Sequence, residues 1–238
     1  MSDLNIGIVA EGPTDYEMLM ALISLIIPGE NNFLLLQPEV SETSGFGSDI
    51  KFGKNGTGWK GVCKWCESIA TDFNGVNNFL AQSGSLIDLL IIQVDADITR
   101  ENEINCYASC PPISDTVENL EETINGWLGE ATISEKVIYC IPCDNTEAWI
   151  LCSFDTETPC HNPPYQPLEC LKKPDYLISR QGYKGPERLL KRKNGKPKKS
   201  VPHYREKLIP TLLENWQTVK AICSQAEAFE EDLLQFLV

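Results

Sequence analysis

One stretch limits this chain more than any other: Leu86–Asp97, read Leu-Ile-Asp-Leu-Leu-Ile-Ile-Gln-Val-Asp-Ala-Asp. From Leu89 to Val94 only Gln93 is polar. So dense an apolar run predicts a parallel strand buried on both faces. Such a strand needs helices on both sides of its sheet, which sets the class as α/β. The run stops at two carboxylates, Asp95 and Asp97. Side chains alternate along a strand, so this spacing predicts both on one side of its carboxyl end. Open α/β sheets bind ligands at that edge. Two unpaired carboxylates repel, and burying them is costly unless a cation such as a divalent metal compensates. The competing reading is a polar strand end with solvated aspartates.

The flanking sequence supplies the other layers. Leu4–Ala10 reads as a second buried strand, stopping at Glu11-Gly12-Pro13. A helix follows, with Thr14 and Glu17 at capping-box spacing and Tyr16, Leu19, Met20, Ile23 and Ile27 as its apolar face. Strand, tight turn and helix make half of a βαβ unit, so Glu11 faces the same edge as Asp95 and Asp97 if the strands are neighbours. Phe33–Leu36 reads as a strand. Trp59–Gln82 reads as helix with a break at Asn74-Gly75, Ser114–Leu128 as an amphipathic helix, and Lys136–Ile141 as a buried strand. Pro142–Glu147 then turns into a helix, with Asp144 and Glu147 at N-cap and N3 spacing. The glycine-rich stretch 44–61 does not carry the Lys-Ser/Thr of a phosphate loop, because Gly53-x-x-x-x-Gly58 continues into Trp59-Lys60. It reads as a loop that contacts substrate or only connects. Two parts are expected: an α/β core over 1–155, a mainly parallel Rossmann-like sheet flanked by helices, and a mostly helical basic extension over 156–238. In the extension, prolines break the first stretch, 185–193 reads as a short helix, and Tyr204–Val238 as helix interrupted near Pro210.

Charge is unevenly spread. The chain has 238 residues and a formal net charge of −14, which argues against non-specific coating of nucleic acid. Residues 172–207, however, hold 13 of the 20 Lys and Arg and are net +10, leaving the remainder at −24. Within them, the basic segment 184–199 (Lys184, Arg188, Lys191, Arg192, Lys193, Lys196, Lys198, Lys199) reads either as a polyanion-binding surface or as a solvated loop. No apolar run is long enough for a transmembrane helix and no basic leader opens the chain, so a cytoplasmic protein without membrane contact is expected. The ten cysteines therefore read mainly as reduced, small apolar residues. Cys63-x-x-Cys66 and Cys140-x-x-Cys143 have zinc-ligand spacing but fall within an expected helix and strand.

Two motifs, Val9-Ala10-Glu11-Gly12-Pro13-Thr14-Asp15 and Val94-Asp95-Ala96-Asp97, resemble those of Toprim domains, the metal-dependent fold of topoisomerases, primases, recombination proteins and OLD-type nucleases. Pro142-Cys143-Asp144-Asn145-Thr146-Glu147-Ala148-Trp149, with Tyr204-x-x-Lys207 and Cys223-Ser224-x4-Phe229, is similar to the RloB-like compact Toprim proteins of bacterial defence loci. Asp15 stands where many relatives carry Glu. The resemblance implies phosphodiester chemistry with Mg²⁺, Mn²⁺ being an alternative. It implies Glu11, Asp95 and Asp97 as metal ligands, Asp144 and Glu147 completing a second site, and Glu11, Asp95, Asp97 and Glu147 as catalytic residues. Mg²⁺ suits such oxygen donors, since it takes one or two carboxylates with water and substrate phosphate. For Asp144 and Glu147 plain helix capping is the competing role.

The function expected is a Mg²⁺-dependent endonuclease acting on DNA or RNA, tRNA included, in anti-phage defence. The chain carries no ATPase motif, so an ATPase subunit would be a separate partner, and self-association stays open. The alternative is a non-catalytic module docking on a partner protein or a nucleotide. A small-molecule phosphatase fits less well, because a small substrate needs no wide cationic surface. A topoisomerase would need a further domain with a nucleophilic tyrosine.

Overall fold

The computed structural model describes residues 3–41, 51–83, 86–104, 106, 110, 113–154, 170–180 and 189–238. In chain order the elements begin with β1 (Asn5–Val9), α1 (Pro13–Ile26), β2 (Asn32–Gln37), β3 (Val40–Ser41), β4 (Lys51–Phe52), α2 (Trp59–Phe73) and α3 (Val76–Ser83). β5 (Leu89–Gln93), a 3-10 turn (Ala96–Arg100), α4 (Ser114–Leu128), β6 (Val137–Cys140), α5 (Glu147–Phe154) and α6 (Pro174–Ile178) follow. The chain ends with β7 (Lys191–Lys193), β8 (Lys196–Lys198), α7 (Val201–His203), a π turn (Tyr204–Leu208), α8 (Ile209–Glu214), α9 (Trp216–Ile222) and α10 (Ser224–Phe236).

β2, β1, β5 and β6 form a four-stranded parallel sheet in that order. Alternation sorts its side chains into two cores. Ile6, Ile8, Leu89, Ile91, Ile138 and Cys140 pack with α1, α5 and the C-terminal helices. Leu90, Ile92 and Val137 pack with α2, α3 and α4. On that second face Gly7 lets its neighbours close in: a Cβ there would stand 2.9 Å from a Leu36 methyl and 3.3 Å from one of Leu90. The fold is thus α/β with helices on both faces, compatible with a Rossmann-like architecture. The chain passes from β1 to β2 on one side and returns to β5 on the other. The strand order therefore reverses between β1 and β5, and a crevice opens at their carboxyl ends.

α4 has the bounds its apolar period gives, and Asn74-Gly75 (φ 57° and 110°) breaks α2 from α3. Elsewhere the expectations need correction. α1 starts two residues earlier than a Thr14 cap would place it, with Gly12 as N-cap and no side-chain cap. Its buried face is Met18, Leu19, Leu22 and Ile23, whereas Tyr16 and Met20 are only half-buried. Asp144 does not cap α5, because it sits in a left-handed conformation (φ 60°) with its carboxylate turned elsewhere. Residues 191–193 are not helix but the first strand of an antiparallel ribbon, β7–β8. Pro210 lies in the first turn of α8, where its missing N–H is harmless. The breaks come instead at Asn215 and at the extended Cys223.

α8, α9 and α10 share the core of α1 and α5, anchored by buried Trp149 against Trp216 (5.6 Å between ring centroids) and Phe229 (6.3 Å). The expected 155/156 boundary and the prolines 159, 163, 164 and 167 lie outside the described residues. The cysteines are not all reduced, since Cys110 and Cys170 form a disulfide. Cys63, Cys66, Cys106, Cys140, Cys143, Cys152 and Cys223 are thiols. No helix among the described residues is long and apolar enough to cross a membrane.

Candidate functional site

The ends of β1 and β5 are joined by a small hydrogen-bond ring. The Glu11 N–H donates to Gln93 Oε1 (3.0 Å), Gln93 Nε2 donates to Asp95 Oδ1 (2.7 Å), and the Asp95 N–H donates to Glu11 Oε1 (2.9 Å). Gln93, the lone polar residue in the apolar run, is fully buried and fixes the Asp95 carboxylate. Its position two residues before Asp95 was the available sequence signal. Asp15, in the first turn of α1, is buried beside them and accepts from Thr146 Oγ1 at 2.7 Å. Glu11, Asp15 and Asp95 line a cleft of about 860 Å³ at this edge. Phe52 and Gly58 from the glycine-rich loop, Lys198 from the end of the ribbon and Lys199 just after it complete its walls. The Gly58 N–H donates to the Glu11 carbonyl at 2.8 Å, so that loop is part of the site; its residues 44–50 are not described.

Asp97 does not accompany Asp95. β5 ends at Gln93 and Asp95 leads into the 3-10 turn, so Asp97 lies around a turn, where the two-residue alternation of a strand no longer applies. Its side chain is 44% exposed and stands 3.8 Å from Arg100. Arg100 also pairs with Asp144, whose second oxygen accepts from the Lys173 N–H. The Asp97 N–H in turn donates to the Asp144 carbonyl at 3.0 Å, tying the two loops together. Asp97, Asp144 and Arg100 thus form a second charged group, and none of the three is among the described residues lining the cleft.

Glu147 is fully buried behind the cleft. One oxygen accepts from the Tyr204 hydroxyl, and the other pairs with Lys199 Nζ at 2.8 Å. About a third of the Lys199 side chain is exposed (34%), but its ammonium is turned inward onto this carboxylate. Lys199 therefore differs from the rest of the basic segment: Lys191, Arg192, Lys193, Lys196 and Lys198 are exposed on the ribbon. Lys184 and Arg188 lie outside the described residues. His203 is structural, its Nε2 meeting the Leu189 carbonyl at 2.6 Å. Tyr204, Gln93 and Thr146 are the site's supporting residues that pattern reading missed.

The cleft holds more negative charge than Lys199 offsets. Burial pushes Glu11 up to about 8; repulsion from Asp15 and Asp97 adds to this, and the Asp95 amide and Lys199 oppose it. Burial, then Glu11 and Asp15, also lifts Asp95 well above its ordinary value. Asp15 is raised by burial and by Glu147 against the pull of Lys199. Asp97 reaches about 6, from burial and the nearby Asp144. For Lys199, burial alone would favour the neutral amine; Glu147, Asp15 and Asp95 outweigh it and hold the lysine charged.

Among the described residues no three His, Cys, Asp or Glu side chains are grouped so as to hold a metal ion. The donor chemistry nonetheless fits Mg²⁺ in its usual mode of one or two carboxylates plus water and phosphate. Glu11 and Asp95, linked by the Asp95 N–H hydrogen bond and both raised chiefly by burial, are the pair that would hold it. Comparison with protein-family models, curated proteins and solved structures returned no match.

Proposed function

We propose that the chain is a metal-dependent endonuclease that hydrolyses phosphodiester bonds in DNA or RNA, tRNA included. The observation that carries this reading is the cleft at the β1–β5 switch point, where buried carboxylates and lysines line one wall system. Buried acids suit a divalent cation, and lysines suit the phosphates such a cation activates. When bound, Mg²⁺ or Mn²⁺ polarises the phosphoryl oxygen and lowers the pKa of attacking water. Glu11 and Asp95 hold the ion, and Gln93 keeps Asp95 oriented. Lys199 limits repulsion among the acids, and Lys198 at the cleft wall meets substrate phosphate. The same motifs and sheet edge support assignment to the Toprim proteins of the RloB-like, OLD-related kind. The setting in this reading is cytoplasmic anti-phage defence, with an ATPase as a separate subunit.

The test is cleavage of DNA, RNA and tRNA with Mg²⁺ or Mn²⁺, with and without the protein encoded beside it. Loss of metal-held charge stabilisation is worth several kcal/mol. Asp95→Asn is therefore expected to lower the rate by about 100-fold or more while the fold and nucleic-acid binding persist. No cleavage by the unaltered chain on any of these substrates removes the enzyme reading.

One observation favours a second reading, a binding module without catalysis. The Lys199 ammonium already sits among the carboxylates, as a fixed internal cation would. Titration calorimetry decides between the two: the nuclease takes up Mg²⁺ at Glu11 and Asp95, and the module does not.

A further inference from the structure

The β7–β8 ribbon carries an arrangement of charge that folding alone does not explain. Its register sets Lys191 opposite Lys198 and Lys193 opposite Lys196, with Arg192 opposite Pro197. Residues two apart on a strand, and their cross-strand partners, share a face. Four lysines therefore occupy one face, and Arg192 and Pro197 the other. Asn194-Gly195 closes the ribbon with both residues at positive φ (52° and 78°), the geometry of a tight two-residue hairpin turn. All four lysines are exposed, and among the described residues none makes an ion pair.

Like charges directly opposite each other destabilise a ribbon. Here the repulsion occurs twice in eight residues, none of which is acidic. The other face is anchored: the Arg192 guanidinium lies 5.8 Å from the Tyr176 ring centroid, and Lys173 lies 5.7 Å from the same ring. The next residue along, Lys199, is pinned to buried Glu147. The lysine face is thus held in a fixed position relative to the cleft. It also starts there, because Lys198 lines the cleft wall while Lys193 and Lys196 lie outward at the turn. Successive lysine pairs are spaced by two strand residues, about 7 Å.

We infer that this lysine face is a rail for an extended single strand of nucleic acid, taking its phosphates two by two and leading the strand into the cleft. The inference rests on the nuclease reading for what happens in the cleft, but not for the binding. A single strand is preferred because a cleft of about 860 Å³ has the size of a small-ligand site, room for a few nucleotides and not for a duplex. Lysines holding phosphates read no sequence, so the rail is sequence-tolerant. A mononucleotide reaches only the cleft end and gains nothing from the outer pair.

The experiment is equilibrium binding in EDTA, so that no cleavage intervenes, over a series of salt concentrations. The probes are an oligothymidylate of about 12 nucleotides, within the range one binding groove covers, a duplex of equal length, thymidine monophosphate, and phosphatidylserine vesicles. The full chain is compared with Lys191→Gln/Lys198→Gln, with Lys193→Gln/Lys196→Gln, with all four combined, and with Lys64→Gln/Lys136→Gln as an equal charge change on the body. Each ribbon pair is expected to weaken oligothymidylate binding by about tenfold. The slope of log K against log salt should fall by about 0.7 for each phosphate that is no longer neutralised. The body pair should leave both unchanged. Melting curves guard against misfolding, since removing like-charge pairs should leave stability equal or raised. The inference is overturned if the four-lysine variant binds with unchanged affinity and slope, if duplex is bound more tightly than single strand, or if vesicles compete on equal terms. Binding through the ribbon without cleavage in any metal would sink the nuclease reading and leave the rail. Cleavage with ribbon-independent binding would do the reverse.

Discussion

The cleft and the ribbon both crowd like charges together, and they treat them in opposite ways. In the cleft Glu11, Asp15 and Asp95, with Glu147 buried behind them, are packed at a sheet edge and held by fixed partners: the Asp95 amide, Gln93, Thr146, Tyr204 and Lys199. On the ribbon four lysines face water with no ionic partner among the described residues. Burial makes the difference. A charge inside the protein must be compensated by the fold itself, because water cannot do it. A charge at the surface is screened by solvent and salt and waits for whatever binds it. The cleft's electrostatics therefore belong to stability as much as to chemistry, and the ribbon's belong to binding.

The largest effect that tests this contrast is on the cleft side. Lys199→Met keeps the aliphatic stem and removes the ammonium, leaving one oxygen of the fully buried Glu147 with no cation. Breaking a buried pair from one side costs about 3–5 kcal/mol, and the third of Lys199 that is exposed argues for about 3. For a chain of this length each kcal/mol moves the melting temperature by roughly 2–4 °C. Lys60→Met is the control, since Lys60 and Glu103 are 55% and 61% exposed and such pairs are worth about 0–1 kcal/mol. Equal losses in urea melts would erase the distinction between the regions.

Next in size is a pH effect. Glu11 is raised to about 8 by burial, above its unfolded value of 4.5. The folded state thus prefers the protonated acid. Its stabilising contribution is full below pH 4.5 and is lost as pH rises to about 8. Asp95 and Asp15 act in the same direction. Metal-free protein should therefore melt at progressively lower temperature between these limits. Glu11→Gln should flatten that decline without abolishing it, since Asp95 and Asp15 remain. Added Mg²⁺ should restore stability at the alkaline end. A melting temperature that climbs with pH over this range would contradict the uncompensated carboxylates.

Much of the cleft was legible because its geometry is set by extended chain. The period of two holds along β1 and β5, so Glu11 and Asp95 follow from where two buried strands stop. The same rule failed for Asp97 because the chain had already left the strand for a 3-10 turn. Asp144 has the spacing of a cap but not the role, because a left-handed residue turns its side chain to Arg100 and Lys173, partners distant in sequence. Lys199 was legible as charge but not as an inward-facing one: a composition count cannot tell which of eight basic residues finds a buried carboxylate 52 positions back. The ribbon gave only its Asn194-Gly195 turn as a signal, since three-residue strands of Lys and Arg have no apolar period to read. The Cys110–Cys170 disulfide spans 60 residues and left no local trace.

The smallest effect is the most selective for the ribbon. Lys196→Glu sets a carboxylate opposite Lys193, turning a repulsive cross-strand pair into an attractive one. Such a change is worth about 0.2–1 kcal/mol, and at an exposed ribbon it acts locally rather than on global unfolding. Amide exchange at residues 191–198 should slow by a few-fold while the sheet amides exchange as before. Oligothymidylate binding should weaken in the same variant, because the outer end of the rail now repels phosphate. A gain in local order coupled to a loss of binding separates the two roles a charge can have here. If order and binding fell together, the lysines would be holding the ribbon's shape, and the contrast with the cleft would collapse to one of degree.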